Sequence, residues 1–442
     1  MPANRFIVVL SAFIITVIAC YCAPVTSNNG EKPVLHDPAN DISENDRILA
    51  GAQRFDRYVR LLEGKAVAVF ANQTSMVGNT HLVDTLQSRG VVIKKIFSPE
   101  HGFRGTADAG EKVGNYTDAQ TGIPVISLYG NKRKPAAEDV KDEDVLVFDI
   151  QDVGVRFYTY ISSLQEFMEA AITLSKPLLI LDRPNPNGFY VDGPVLDMRY
   201  KSFVGMQPVP VVYGMTIGEY AYMLLKENML SIKMLAQPPV HIDPKPGTAM
   251  NVSKFSLTII TCGNYTHNSK YVLPVRPSPN LPDIQSVYLY PSTCFFEGTV
   301  LSEGRGTSKP FKVFGHPLLP DNLFSFTPNP TDGAKSSKLY GQLCYGWDLS
   351  GSPEEVLQEV DNKVQLKWLI EAYRLFPEKE KFFIVPQSGK METSFFSKLA
   401  GNNVLWQQIK NGLPEQDIRK SWEPGLSAFK KIRRKYLLYD DF

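Results

Sequence analysis

Charge of one sign is what this chain most plainly lacks: 47 Lys and Arg face 46 Asp and Glu over 442 residues, a formal net charge of +1. Without a basic stripe there is nothing to follow a phosphate backbone, and nucleic acid is excluded as a partner. Cysteine is scarce, five in all. Cys20 and Cys22 fall in the N-terminal leader, while Cys262, Cys294 and Cys344 are far apart and lack metal-ligand spacing. An odd number in an exported chain leaves at least one unpaired, so burial as small hydrophobes is expected. There is no Walker A sequence, no H-E-x-x-H and no G-x-S-x-G. The G-x-G inside "SEGRGTSKPF" (302–311) follows no clear βαβ strand, and the full dinucleotide fingerprint is absent. Repeats and low-complexity tracts are missing too. Neither a metal nor a cofactor is expected.

The N-terminus carries one clear signal. "MPANRFIVVLSAFIITVIAC" places one arginine before an apolar stretch from Phe6 to Ala19. That run is short for a membrane span but suits the core of a signal peptide over residues 1–19. It closes on "VIAC", a lipobox-like end that would make Cys20 a lipidated first residue, anchored in a membrane. The alternative is ordinary cleavage, near Ala23. The polar stretch to residue 46 reads as a tether. The expectation is therefore an exported, periplasmic or cell-surface lipoprotein.

Beyond the tether, 43% hydrophobic and 21% charged residues describe a globular chain, and its length calls for two domains. Residues 47–65 and 79–90 read as helices. Between and after them, 66–71, 91–97, 123–129, 144–150 and 176–182 are short apolar β-branched runs. "YISSLQEFMEAAITLS" (160–175) and "TIGEYAYMLLKEN" (216–228) have helical spacing. Strands apolar on both faces, alternating with helices, predict a doubly wound, Rossmann-like, mostly parallel α/β sheet over 47–265. A smaller α+β domain is expected over 266–442, Pro-, Gly- and aromatic-rich to about 335, with helices at 352–376 and 427–439.

In such a sheet, ligands gather beyond the carboxyl ends of the strands. There the sequence sets Asn72; then Glu100, His101 and Arg104; then Asp149, Asp152 and Arg156; then Asp182, Arg183, Asn185 and Asn187. Converging on one edge, these make a polar pocket with several carboxylates, which suits glycoside cleavage. Each group has a plainer reading. Arg156 would form a structural ion pair with Asp149 or Asp152, and "DRPNPNG" (182–188) is strong turn chemistry by itself.

"SPEHGFRGTADAGEKV" (98–113), "DIQDVGVRFYTY" (149–160), "DRPNPNG", "VVYGMTIGE" (211–219), "PSPNLP" (277–282), "YPSTCFFEGTVLSEGRGTSKPF" (290–311) and "RRKYLLY" (433–439) together carry a resemblance. In order, from about residue 48 to 439, they resemble the NamZ-type exo-β-N-acetylmuramidases. The resemblance implies a cleft between the two domains and release of N-acetylmuramic acid from the non-reducing end of peptidoglycan fragments. It puts the family's catalytic glutamate on Glu100, as an acid kept protonated by burial, with His101 beside it. Asp149, Asp152, Arg156 and Tyr158 become candidates for holding the sugar or assisting at the anomeric carbon. Asn72, Arg104, Asn185 and Asn280 are further candidate contacts. The lactyl carboxylate of muramic acid needs a cation, first Arg305 and second Arg183, and Glu303 would contact substrate or neutralise Arg305. The chain departs from the family pattern in "TCGNYTHNSKYVLPVR" (261–276) and at His316, so subsite contacts are expected to differ there. Two other outcomes stay open: an exo-lyase releasing the 1,6-anhydro sugar, and a lipoprotein that binds wall sugars without cleaving them. The oligomeric state is unset.

Overall fold

The apolar runs become strands because both of their faces are covered. In β1 (Ala66–Ala71), Ala68 and Phe70 enter one hydrophobic core while Val67, Val69 and Ala71 enter another on the opposite face. The same alternation holds in β7 (Val145–Asp149), β8 (Leu178–Leu181) and β10 (Leu257–Ile260). The computed structural model describes residues 46–100, 102–105, 114–245, 248, 250–331 and 333–442. The signal peptide, the tether up to residue 45, Cys20 and His101 lie outside the described residues.

Among the described residues the large sheet has eight strands in the order β5-β6-β4-β1-β7-β8-β10-β9. Here β4 is Val92–Ser98, β5 Tyr116–Thr117, β6 Pro124–Ser127 and β9 Val240–Ile242. Every pairing is parallel except that of β5 with β6. From β1 the chain first winds outward through β4 and β6, then returns to place β7, β8 and β10 on the other side. The order reverses between β1 and β7, and at such a switch point neighbouring strand ends open a crevice.

The helices over 160–175 and 216–228 follow their sequence signals closely, whereas the one read over 47–65 is much shorter and the one read over 427–439 stops at Arg433. α1 is Phe55–Leu62, preceded by a 3-10 turn at Gly51–Gln53. The hairpin of β2 (Met76–Val77) and β3 (Thr80–His81) leads into α2 (Leu82–Ser88), so the helical reading of 79–90 starts two or three residues early. The His81 Nδ1 accepts from the amide of Val83 while Nε2 faces the Asn72 carbonyl at 2.8 Å. Burial holds that imidazole below its ordinary pKa. α3 spans Tyr160–Thr173, and α4 spans Ile217–Lys226 behind a Thr216/Glu219 capping box.

The C-terminal part departs more from expectation. Within the aperiodic region lie α5 (Ile284–Thr293), which carries Pro291, and strands β11 (Val313–His316) and β12 (Phe324–Phe326). These two flank β13 (Cys344–Asp348) in an antiparallel sheet. The single helix read over 352–376 is two, α6 (Pro353–Val360) and α7 (Lys367–Leu375). Asp361 and Asn362, at φ +51° and +50°, break it, because these residues tolerate left-handed backbone better than most. α8 (Phe395–Ala400), α9 (Leu405–Lys410) and α10 (Glu415–Arg433) follow. Cys262, Cys294 and Cys344 are unpaired and buried.

Residues Arg47–Phe442 hold together as one compact unit. Part of the reason is a clasp at residues 433–441. Tyr439 Oη donates to Asp182 Oδ2 at 2.6 Å and the Leu438 amide donates to Glu219 at 2.7 Å. Arg433 donates to the Gly214 carbonyl and to Asp441. Asp182 also accepts from Thr216 Oγ1 and the Gly218 amide. It is the joint between β8, α4 and the clasp.

Candidate functional site

Two connected hollows lie beyond the carboxyl ends of β4, β6 and β7. They share five wall residues: Glu100, Phe157, Thr159, Tyr290 and Arg305. The inner hollow, about 70 Å³, adds Tyr158, Tyr160, Ser278, Asn280, Leu281 and Phe311. The outer one, about 500 Å³, adds Tyr129, Arg133, Phe203, Cys294, Glu297 and Leu399 among others.

Glu100 sits two residues past β4 and is half-buried. Tyr129 Oη, just past β6, donates to its Oε1 at 2.9 Å, and Thr159 Oγ1 approaches Oε2 at 3.5 Å. The ends of β4 and β6 and the start of the helix at Tyr160–Thr173 therefore aim one carboxyl group into the hollow. The opposite wall is aromatic. Tyr290 packs edge-on against Phe157, Tyr158 and Phe311, with centroids 5.5, 6.1 and 4.8 Å apart. Such rings suit the apolar face of a sugar. Tyr158 Oη donates to the Pro277 carbonyl at 2.8 Å, which also receives Gln73 Nε2 at 3.0 Å, so "PSPN" is fastened over the sheet.

Arg305 arrives on a glycine-flanked loop because nothing else fits. Gly304 and Gly306 sit at φ +81° and +80°, and an added Cβ would lie 2.7 Å from the Val313 carbonyl oxygen or 2.6 Å from that of Asn329. Arg305 Nη2 lies 3.3 Å from Glu297 Oε1, and its Nε lies 3.8 Å from Glu303. Burial works against this charge, but the two carboxylates prevail and hold the guanidinium protonated above its ordinary value. Glu303 stands behind it, bound by Lys338 at 2.8 Å.

Of the residues singled out in the sequence, Glu100, Tyr158, Asn280 and Arg305 meet at the hollows. Asn280 also donates to the Gly333 carbonyl. The others stand behind the wall. Asn72 is buried, donating to Tyr160 Oη at 2.8 Å and accepting from Thr74. It positions a wall tyrosine. Arg104 turns away to Asp118, with Nη2 to Oδ2 at 2.8 Å. Asp149 pairs with Arg183 instead of Arg156, which sequesters both. Among the described residues Arg156 therefore has no carboxylate partner. It donates to the carbonyls of Pro194, Val209 and Leu399, and burial pushes it down to about 9. Asp152 accepts from the Gly154 amide and Tyr213 Oη and is absent from the wall. Burial pushes its carboxyl up to about 7. Asn185 and Asn187 serve their own turn, with Asn185 donating to Met215 and Asn187 to Val153 and Val287. Nothing is described for His101.

Sequence reasoning missed Tyr129, Arg133 and Glu297. Tyr129 ends an apolar run and carries only a hydroxyl, so it reads as part of the core. Glu297 stands eight residues before Arg305 in the same motif, and that acid–cation pairing was available as a signal. Among the described residues, no three His, Cys, Asp or Glu side chains are grouped so as to hold a metal ion.

The family model described as Exo-beta-N-acetylmuramidase NamZ, N-terminal, matches residues 67–285, and its C-terminal counterpart matches 288–439. The chain belongs to the NamZ family. The peptidoglycan beta-N-acetylmuramidase NamZ of Bacillus subtilis strain 168 is 37% identical over 420 residues, covering 91% of this chain and 94% of that one. A DUF1343 family protein of Bacteroides fragilis NCTC 9343 is 40% identical, with TM-score 0.76 over 90% of this chain and 100% of its own. A second from the same strain is 27% identical, with TM-score 0.68 over 89% and 100%. Both NamZ modules contribute to the hollows, the N-terminal one through Glu100 and the C-terminal one through Tyr290, Glu297 and Arg305.

Proposed function

We propose that this chain is an exo-acting glycosidase that removes N-acetylmuramic acid from the non-reducing end of peptidoglycan fragments, with Glu100 as its proton donor. The observation that carries this reading is Glu100 itself, held by Tyr129 and Thr159 across a hollow from an aromatic wall. Membership of the NamZ family supports the substrate class. In the reaction, the Glu100 carboxyl gives its proton to the glycosidic oxygen as the C1–O bond breaks, so the leaving sugar departs neutral. Phe157, Tyr158 and Tyr290 hold the muramyl ring. Of the two wall arginines, Arg305 is already shared by two carboxylates, whereas Arg133 stacks on Phe203 and makes no ion pair among the described residues. Arg133 is therefore the better placed to receive the lactyl carboxylate.

Turnover of a chromogenic muramic-acid glycoside by wild type and by Glu100→Gln tests this. Wild type should release the chromophore, and the variant should lose at least a thousandfold. Equal rates would remove Glu100 from the mechanism, and inert wild type on several muramyl substrates would make the protein a binder. The mass of the released sugar separates hydrolysis from lyase chemistry, since the anhydro product is lighter by one water.

Export with a lipid on Cys20 remains part of the same proposal, supported by the leader sequence alone. Incorporation of labelled fatty acid, abolished by Cys20→Ala, is the expected result. Full incorporation in that variant would rule the anchor out.

A further inference from the structure

Resting on that reading, we infer that Glu297 is the second catalytic carboxylate, the group that takes a proton from the water attacking the anomeric carbon. The argument begins with elimination. Glycoside cleavage needs an acid and a second group at the positive centre that forms at C1. Among the described residues, the walls of the two hollows carry two carboxyl side chains, Glu100 and Glu297. The other acids nearby line neither hollow. Asp149 is locked to Arg183, Asp152 is buried away from the wall with its Oδ2 taken by Gly154 and Tyr213, and Glu303 stands behind Arg305 against Lys338.

Glu297 is presented as a working group would be. It stands in the 3-10 turn Cys294–Gly298, where α5 ends. Its Oε1 receives Cys294 Sγ and Arg305 Nη2, both at 3.3 Å, while Oε2 takes no hydrogen bond from any described residue. One oxygen is thus clamped and the other is available to the hollow. Its placement also separates the two roles by module, since Glu100 comes from the sheet and Glu297 from the segment after α5. Burial raises the Glu297 carboxyl, with the Glu303 carboxylate adding to the rise and Arg305 opposing it. A base made harder to ionise binds an incoming proton more firmly.

The step balances without any further reagent. Glu100 gives its proton to the leaving oxygen and the C1–O bond breaks. Water adds to C1 and its proton passes to Glu297. Glu100 ends ionised and Glu297 protonated, and exchange with solvent restores both.

The test pairs Glu297→Gln with Glu100→Gln on two substrates, a natural-type muramyl disaccharide and a 2,4-dinitrophenyl muramide whose leaving group needs no proton. On the disaccharide both variants should lose at least a thousandfold in kcat. On the dinitrophenyl substrate Glu100→Gln should recover most of its rate, whereas Glu297→Gln should not. Azide, a nucleophile that needs no base, should revive Glu297→Ala and yield a glycosyl azide. A Glu297→Gln variant within tenfold of wild type overturns the inference, and so does recovery on the activated substrate to the level of Glu100→Gln. Should Glu297→Gln fail to fold, Glu297→Asp keeps the charge and Arg305 partnership, and must still lose at least tenfold in kcat. Inert wild type, by contrast, would sink the parent reading and is recognisable as such.

Discussion

Arg183 grips Asp149 with both prongs beneath the site, Nε at 2.6 Å from Oδ1 and Nη2 at 2.9 Å from Oδ2. Both side chains are essentially inaccessible, 2% and 0% exposed. The pair closes the ends of β7 and β8 and leaves neither member for substrate. Arg183→Met should therefore destabilise the fold by roughly 3–5 kcal/mol, because it strands a buried carboxylate. Adding Asp149→Asn should recover part of that loss. Urea midpoints of the two variants measure it, and an unchanged midpoint for Arg183→Met would show that the pair is not structural.

Asp152 predicts a pH signature. Its folded carboxyl sits near 7 because of burial, against 3.8 ordinarily. Between those values the folded chain keeps a proton that the unfolded chain has lost. This group's contribution to stability is therefore greatest at low pH and falls as pH rises from about 4 through 7. Asp152→Asn removes that dependence. From pH 5 to pH 8 its stability relative to wild type should improve by roughly 1–3 kcal/mol. A constant difference in unfolding free energy across that range would contradict the assignment.

The loop carrying Arg305 has no room for a methyl group. Gly304→Ala or Gly306→Ala forces left-handed backbone on alanine, about 1–2 kcal/mol, and drives Cβ into carbonyl oxygens. Each should lower the melting temperature and reduce kcat/KM at least tenfold as Arg305 moves. Normal kinetics in either variant would show that Arg305 need not sit where it does.

Tyr129→Phe removes one hydrogen bond to Glu100 and little else. Bonds to charged groups are worth about 1.5–3 kcal/mol, so kcat/KM should fall roughly ten- to a hundredfold. The melting temperature should hardly move. A steady-state comparison on the chromogenic glycoside suffices.

Arg133→Ala should raise KM for muramyl substrates about tenfold and leave kcat nearly intact, the signature of lost ground-state binding. The corresponding glucosaminide, which lacks the lactyl group, should be indifferent to the change. Equal effects on both substrates would move the carboxylate contact elsewhere.

The large sheet was legible because β1, β7 and β8 are apolar on both faces, and uninterrupted apolar runs have few other uses. Glu100 and Arg305 were legible because their loops spend glycine to present them. Pairing was not legible. Asp149, Asp152, Arg156 and Arg183 look alike at strand ends, yet one pair neutralises itself, one arginine binds carbonyls, and Asp152 accepts from Tyr213. Only tertiary geometry chooses among those partners. α5 was hidden by its own Pro291, and the break at Asp361 and Asn362 by polar residues that sit equally well on a helix surface.

The bond from Tyr439 to Asp182 joins positions 257 residues apart. A carboxylate just past β8 thus waits for residues made long after it to satisfy it. Nascent chain emerging from a ribosome can assemble β1 through β10 only provisionally, and closure of that far loop is slow entropically. Completion of the Asp182 joint should therefore follow assembly of the sheet, as the late step in forming this unit.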